Sequence, residues 1–471
     1  MTLPSRVSDL SGFDLLLTVA RLGSLGRAAA EHGISQPAAS ARMRQLEGQL
    51  GLALIERSPR GSRLTPAAPA GDLALRLASL SRVQHDQVRR LMDQMLEVGL
   101  PPVLRLGGTP LPLAGRARVY ACGITPYDVT HLGHAATFVW TDTLARVLHV
   151  GGAEVIMCRN VTDVDDVLLA AANRDGSPYD RFAAIQQFYF DQDMTALGVG
   201  RPALEPRAHV YIPQVIALAA GLLDREAAYE RDGQVYFRGG AAARQAVPDQ
   251  GEALRLAAEY GDQPGDPRKD DPFDVAVWQT SRDGEPAWAS PWGPGRPGWH
   301  SECAAMALHA FGAAVDVQAG GGDLRFPHHA YQAALAEAFT GVAPFARARL
   351  NVGVVQVAGA KMAKSVGNLV LVKELLADYP AAAVRLLILD RRWHEDWDYD
   401  RASLDAAAAR LERIAAAAGR PGRGPAGRDD AAAAAVRAAL ADDLDVPAAL
   451  RIAETEGGPA ARSLGSLLGL W

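Results

Sequence analysis

Apolar positions recur along the chain at two different periods, and the change of period divides the sequence. From Asp9 to about Leu100 the spacing is helical: Leu10, Phe13 and Leu17, with Leu16, Val19 and Ala20, fall on faces about 3.6 residues apart. Residues 101–115 are punctuated by proline and glycine and predict a connector. From Arg116 short apolar runs alternate with helical ones: a strand over 118–121, a helix over 135–150, a strand over 153–158 and a long amphipathic helix over 179–197. A parallel strand needs a crossover, commonly a helix, so this alternation predicts an α/β domain with a parallel sheet. Residues 228–297 are rich in turn signals and predict an insertion rather than sheet core. After Pro380 only helical patterns remain, over 381–418 and 429–470, parted by a Gly/Pro/Arg stretch at 419–427. They predict a small helical hairpin or bundle.

Composition narrows the classes. The 471 residues are 49% hydrophobic and 22% charged, enough for about three globular units of roughly 150 residues each. Three cysteines cannot build a disulfide framework, and a net charge of −6 argues against an overall nucleic-acid coat. The amino terminus has no apolar run behind a basic start, and nowhere do about 18 apolar residues run uninterrupted. The expectation is a cytoplasmic protein with no membrane partner.

Two sequence signals lie in the first region. Ser24 to Ala30 is followed by Gly33-Ile34-Ser35-Gln36-Pro37-Ala38-Ala39-Ser40, where Ser35 can cap a second helix and Pro37 suits its first turn. A helix, a glycine turn and a capped helix make a helix-turn-helix. The second helix would offer Gln36, Ser40, Arg42 and Arg44 to base edges and phosphates, and Arg57, Arg60 and Arg63 would add backbone contacts from a hairpin wing. On spacing alone, a helical protein-interaction module with solvated arginines fits equally well. The run from Phe13 to Pro66, with Ala28-Ala29-Ala30, Gln45-Leu46-Glu47 and Leu64-Thr65-Pro66, resembles the winged helix-turn-helix of LysR-type regulators. Gly71 to Met95 resembles that family's linker helix, which pairs two subunits there; the resemblance implies DNA as a partner and a homodimer. The small-molecule sensor domain of that family does not follow.

The second region carries three chemical signals. His131-Leu132-Gly133-His134 opens a helix, where free N–H groups and the helix dipole favour phosphate. Lys361-Met362-Ala363-Lys364-Ser365 places two cations that suit charge building on departing pyrophosphate. Cys122, Cys303 in Trp299-His300-Ser301-Glu302-Cys303, and the pair His328-His329 offer sulfur and imidazole from separate segments, donor types zinc favours. Taken singly, a surface histidine pair, a solvated basic turn and packed Cys and His residues explain these signals as well. Cys158, inside an apolar strand, reads as core.

In order along the chain, Tyr120 to Asp128, His131 to His134, Asn160 to Asp166, Gly295 to Cys303, Gly320 to His329 and Lys361 to Ser365 resemble the class I cysteinyl-tRNA synthetase core. Cys122 to Asp128, Thr130 to Thr137 and Gly367 to Val372 are closer to its relative, the cysteine ligase family of mycothiol biosynthesis. The resemblance implies a class I aminoacyl-tRNA synthetase-like Rossmann (HUP) catalytic domain at 103–380, with the insertion at about 228–297. A carboxy-terminal helical bundle at 381–471 and a mostly α winged helix-turn-helix at 1–66, joined by a linker helix at 67–102, complete the expectation. It implies ATP with Mg2+, L-cysteine and an amino-sugar acceptor, glucosaminyl-inositol, joined through cysteinyl-adenylate.

Residue by residue, the resemblance implies one Zn2+ per chain on Cys122, Cys303 and His328, with Gln332 where the tRNA enzyme has a glutamate ligand. Three protein ligands would leave an open position for the substrate thiol. Thr125, Thr162, Trp299 and Asp323 would surround the cysteine part, Asp323 facing its ammonium. Gly133, Gly320, Gly321, Val354 and Val355 would lie near adenosine, and His131, His134, Lys361 and Lys364 would act on the phosphates. Ala363, Ala319 and Gly322 depart from the family pattern. Two other functions stay open at this point: a cysteinyl-tRNA synthetase-like enzyme, for which the chain after Pro380 is short, and a DNA-binding regulator that senses ligand through a ligase-like fold.

Overall fold

In this computed structural model the described residues are Leu15, Thr18, Val19, 24–50, 55–58, 61–64, 104–113, 115–127, 129–362, 366–421 and 426–471. The whole of the expected linker helix 67–102 lies outside them, as do Arg60, Ala363 and Lys364. The chain forms two compact units, Met1–Leu100 and Pro101–Trp471.

In the first unit, helices Leu25–Glu31 and Gln36–Leu50 are followed by an antiparallel hairpin of Ile55–Ser58 with Gly61–Leu64. Local chemistry sets both helix starts. Ser24 Oγ accepts from Arg27 N at 3.4 Å and Ser35 Oγ from Ala38 N at 3.3 Å, supplying partners for N–H groups that a first turn leaves free. Gly33 takes a left-handed φ of +64° at the turn, a conformation that costs glycine little. Leu25, Ala28, Ala29, Ala39 and Met43 are buried, so the two helices share an apolar face.

The second unit is built on four parallel strands: β1 (Arg116–Ile124), β2 (Glu154–Val161), β3 (Val315–Gly321) and β4 (Ala346–Val352), in the spatial order β4-β3-β1-β2. Helix α1 (Leu132–Val150) crosses from β1 to β2 on one side, and the chain later returns to β3 on the other side of β1. The direction of winding therefore reverses between β1 and β3. At such a reversal the loops after the two strands diverge and leave a crevice at their carboxyl ends.

The insertion is more ordered than its turn-rich sequence predicts. Ala228–Arg231, Gln234–Phe237, Val275–Thr280 and Gly295–Pro297 form a four-stranded antiparallel sheet outside the parallel one. Val235, Phe237, Val277 and Trp278 pack there with Leu218 and Tyr331 in a core of their own. Its strands are no longer than six residues, too short for a period-2 pattern to stand out from the turns. Past Pro380 the elements are mainly helices, ending in Ala426–Ala441, Val446–Glu456 and Gly458–Leu468. The expectation of helices alone fails at Trp397–Asp398, a two-residue strand paired with Val355–Val357.

This helical tail shares one core with α1: Leu132, Val139 and Leu144 lie in the same apolar cluster as Leu386, Leu464 and Leu468. Arg385, 1% exposed, ties the two together. It donates to Asp142 Oδ2 on α1 at 2.7 Å and to the carbonyls of Leu468 and Leu197 at 2.8 and 3.1 Å. Without Arg385 the Asp142 carboxylate keeps only the more exposed Arg146, at 2.8 Å, and the Leu468 and Leu197 carbonyls lose their buried donor. Arg385→Ala is therefore expected to lower unfolding free energy by about 3 kcal/mol, checked by urea titration against the wild type.

Candidate functional site

The crevice between β1 and β3 is a cavity of about 470 Å³ whose wall includes Cys122 to Thr125 at the end of β1, Thr162 and Asp165 after β2, Gly321 and Asp323 at the end of β3, and Val352 to Val355 at the end of β4. Trp299 and Cys303 of helix α2 (Trp299–Phe311), His131, Gly133 and His134 of α1's start, Tyr260 of the insertion, and Lys361 complete it.

At one end Cys122 Sγ, Cys303 Sγ and a ring nitrogen of His328 lie within 4.8 Å of one another, all buried. The backbone forces this closeness. Gly123 lets β1 pass so near the end of β2 that a Cβ there would sit 1.7 Å from the Asn160 carbonyl oxygen. Asn160 Oδ1 accepts from Gly123 N at 3.0 Å, and its Nδ2 donates to Cys303 Sγ at 3.2 Å. Tyr120 Oη donates to the Cys303 carbonyl at 3.1 Å. Gln332, wholly buried, joins both sulfur residues: Oε1 accepts from Cys122 Sγ at 3.3 Å and Nε2 donates to the Cys303 carbonyl at 3.3 Å.

The imidazole is fixed by a chain of partners. His328 stacks on Trp299 with ring centroids 4.1 Å apart. Its Nδ1 meets His300 Nδ1 at 2.9 Å, while His300 Nε2 faces Asp262 at 3.3 Å. If Asp262 holds the Nε2 proton of a neutral His300, then His300 Nδ1 accepts, His328 Nδ1 donates, and the His328 Nε2 lone pair is left for a ligand role. Burial keeps His328 neutral well below the ordinary histidine range. Burial likewise pushes the Cys303 thiol up, as does the neighbouring Cys122.

The other end suits a nucleotide. His131 caps α1, its Nδ1 accepting from Gly133 N at 3.1 Å, and its ring stacks on His134 at 3.9 Å. Burial, then Lys361, brings His134 down to about 4, and its buried Nδ1 has no hydrogen-bond partner among the described residues. His134 thus enters as a neutral ring able to offer an N–H rather than a full charge. Lys361 Nζ donates to Asp323 Oδ2 at 2.6 Å and to Tyr260 Oη at 2.8 Å. Burial opposes the lysine's charge, but Asp323 and Tyr260 outweigh it and raise the amine's proton affinity.

Most of the residues that the resemblance singles out converge here. Thr125 and Thr162 hydroxyls are 2.7 Å apart, and Trp299, Gly133, Gly321, Val354 and Val355 line the same cavity. Gly320 is not on its wall; a Cβ there would stand 2.6 Å from the His329 ring, so this glycine serves close packing behind the cavity. Sequence reasoning missed Tyr260 and Asp262, which sit in the turn-rich insertion where no periodic signal marks them. In the first unit Gln36 and Arg44 are exposed, Ser40 and Arg42 half-buried, along one helix.

Comparison with known proteins agrees with this geometry. Residues 112–409 match the family described as tRNA synthetases class I (C) catalytic domain, and residues 10–69 match the lysR family of bacterial regulatory helix-turn-helix proteins. Methionyl-tRNA synthetase of Mycobacterium tuberculosis with methionyl-adenylate superposes with TM-score 0.52 at 17% identity, over 75% of this chain and 82% of that one. The leucyl enzyme of Agrobacterium radiobacter in its ternary complex gives TM-score 0.53 at 12% identity, over 81% and 86%. Fold and crevice thus define a class I aminoacyl-tRNA synthetase-like catalytic domain.

Among curated relatives, the L-cysteine:1D-myo-inositol 2-amino-2-deoxy-alpha-D-glucopyranoside ligase of Frankia alni is 44% identical over 75% of this chain and 88% of its own length. That of Thermomonospora curvata is 44% identical over 75% and 88%. The chain belongs to this family, the cysteine ligases of mycothiol biosynthesis. No helix among the described residues is long and apolar enough to cross a membrane.

Because a Cβ at Gly123 meets backbone rather than a movable side chain, Gly123→Ala is expected to force β1 and β2 apart. The cost is about 1–3 kcal/mol of stability, read from the shift in a urea denaturation midpoint.

Proposed function

We propose that the chain is an ATP-dependent, AMP-forming ligase that activates L-cysteine as cysteinyl-adenylate and transfers it to the amine of glucosaminyl-inositol. The observation that carries this reading is the opening of one cavity onto both a buried two-sulfur, one-imidazole cluster and the His131/His134/Lys361 group. In this reading residues 103–380 perform the chemistry, 381–471 brace α1, and 67–102 pair two subunits.

Thr125, Thr162 and Trp299 position cysteine so that its carboxylate faces the α-phosphate of ATP, with Gly133, Gly321, Val354 and Val355 beside the adenosine. Asp323 is suited to the substrate ammonium once Lys361 leaves it for the phosphates. His131, His134, Lys361 and Lys364 then hold the charge that gathers on pyrophosphate as it departs, Mg2+ accompanying the nucleotide. The acceptor amine attacks the activated carbonyl and AMP leaves, with no covalent enzyme intermediate.

The donor chemistry of Cys122, Cys303 and neutral His328 fits zinc, and Gln332, being uncharged, is a poor fourth ligand. One Zn2+ bound there supplies a soft Lewis acid that prefers the thiol of cysteine to the hydroxyl of serine. Purified protein is expected to hold about one zinc per chain and to catalyse cysteine-dependent, serine-independent ATP–pyrophosphate exchange. Cys303→Ser should lower the zinc content measured by atomic absorption, and Cys122→Ala should abolish exchange. A zinc-loaded wild type silent in exchange would overturn the reading, and cysteine charging of tRNA without ligation would redirect it to the tRNA enzyme.

We further propose that the first unit binds DNA, as the lysR-family match and the polar helix Gln36–Leu50 support. Arg42→Ala and Arg44→Ala should each weaken binding and reduce the slope of log affinity against log salt by about one. Fluorescence anisotropy at several salt concentrations measures it.

A further inference from the structure

The ligase reading leaves one step without a residue. An amino sugar arrives largely as an ammonium, which has no lone pair to offer, so a proton must leave it before it attacks. Resting on that reading, the cavity can be divided by what each wall serves. His131, His134, Gly321 and Val352 to Val355 suit the nucleotide, and Cys122, Cys303, His328 and Trp299 suit the cysteine side chain. Thr125, Tyr127, Asp165 and Val167 form a further stretch of the wall. Tyr127 is 40% and Val167 47% exposed, so this wall reaches the mouth by which a large polar acceptor enters.

Three carboxylates line the cavity: Asp165, Glu259 and Asp323. Asp323 is taken by Lys361 at 2.6 Å, and Glu259 pairs with Arg255 at 2.8 Å. Asp165, 8% exposed, has no ion pair among the described residues and accepts only neutral donors: Val167 N to Oδ1 at 3.1 Å and Thr125 Oγ1 to Oδ2 at 3.2 Å. Thr125 in turn meets Thr162 at 2.7 Å. The carboxylate is thus linked directly to the pair of hydroxyls assigned to the cysteine part of the adenylate.

We propose that Asp165 is the general base that removes a proton from the acceptor ammonium in the transfer half-reaction. One N–H proton passes to the Asp165 carboxylate. The freed lone pair forms the C–N bond at the cysteinyl carbonyl, the C–O bond to phosphate breaks with its electrons leaving on AMP, and the second nitrogen proton goes to solvent as the amide forms. Thr125, hydrogen-bonded to the same carboxylate, holds it in place.

The surroundings suit the task. Burial pushes the Asp165 carboxyl up to about 6; the Val167 N–H opposes that rise, Asp166 adds to it, and Thr125 and Arg296 oppose it. It is therefore mostly ionised near neutrality yet more basic than an exposed aspartate, the balance a general base needs. The groups facing it are Asp166 and Arg296, which pair with each other, and Glu302, a buried carboxyl kept protonated by burial.

The experiment compares full-length wild type with Asp165→Asn, which preserves the helix cap at Val167 because asparagine also caps well. Cysteine-dependent pyrophosphate exchange reports the first half-reaction, and single-turnover transfer to 1D-myo-inositol 2-amino-2-deoxy-alpha-D-glucopyranoside reports the second. Asp165→Asn should keep exchange and its cysteine KM while transfer falls by about 100-fold or more. That loss should shrink as pH rises toward the acceptor's own pKa, where free amine is already present. Asp165→Ser, another capping residue, should behave the same way and replaces the asparagine variant if that one fails to fold.

Unchanged transfer in a variant that exchanges normally would overturn the assignment. So would an equal loss in both halves with a raised cysteine KM, which would make Asp165 a cysteine-binding residue. A wild type that neither exchanges nor ligates would instead remove the ligase reading on which the assignment stands.

Discussion

Two sulfurs and an imidazole drawn from points far apart in the chain are held within 4.8 Å of one another, and the site is organised around that convergence. Burying these groups together is unfavourable unless each finds a partner, and the structure supplies partners from several elements. Asn160 serves the Cys303 sulfur, Gln332 serves both cysteines, and His300 with Asp262 serves the imidazole. The β1 backbone approaches Asn160 so closely that only glycine fits at position 123. The reversal of winding between β1 and β3 opens the space into which the cluster faces, so topology and cluster are two aspects of one arrangement.

Much of the architecture could be read from local signals. Gly33 and Ser35 announce the helix-turn-helix because cap and turn chemistry act within a few residues. Alternating short strands and helices after Arg116 announce the parallel sheet for a similar reason: each crossover is local in sequence. Cys122, Cys303 and His328 were legible only together with the motifs between them, since scattered cysteines and histidines carry no period. The insertion's sheet stayed hidden because its strands are short, and with it Tyr260 and Asp262. The hold of Asp323 on Lys361 was invisible as well, being a contact between loops that only the folded chain brings side by side.

Gln332 shows how one substitution changes the character of a buried cluster. A carboxylate at that position would add a further acidic group beside two thiols. The amide instead accepts from Cys122 and Gln318 with its oxygen and gives an N–H to the Cys303 carbonyl. The position thereby becomes part of the framework, holding strand β1, strand β3 and helix α2 at fixed spacing, with no ionised carboxylate buried among them.

The 2.6 Å contact between Lys361 and Asp323 makes the resting protein its own competitor. Any cationic guest of Asp323 must first evict the lysine, so its apparent affinity falls short of its intrinsic affinity by whatever fraction of molecules keeps the pair closed. A polyanion that draws Lys361 away removes this handicap, and the two guests then favour each other's entry without touching. Cooperativity between a small ammonium ligand and a phosphate chain is thus written into a single ion pair, with no need for domain motion.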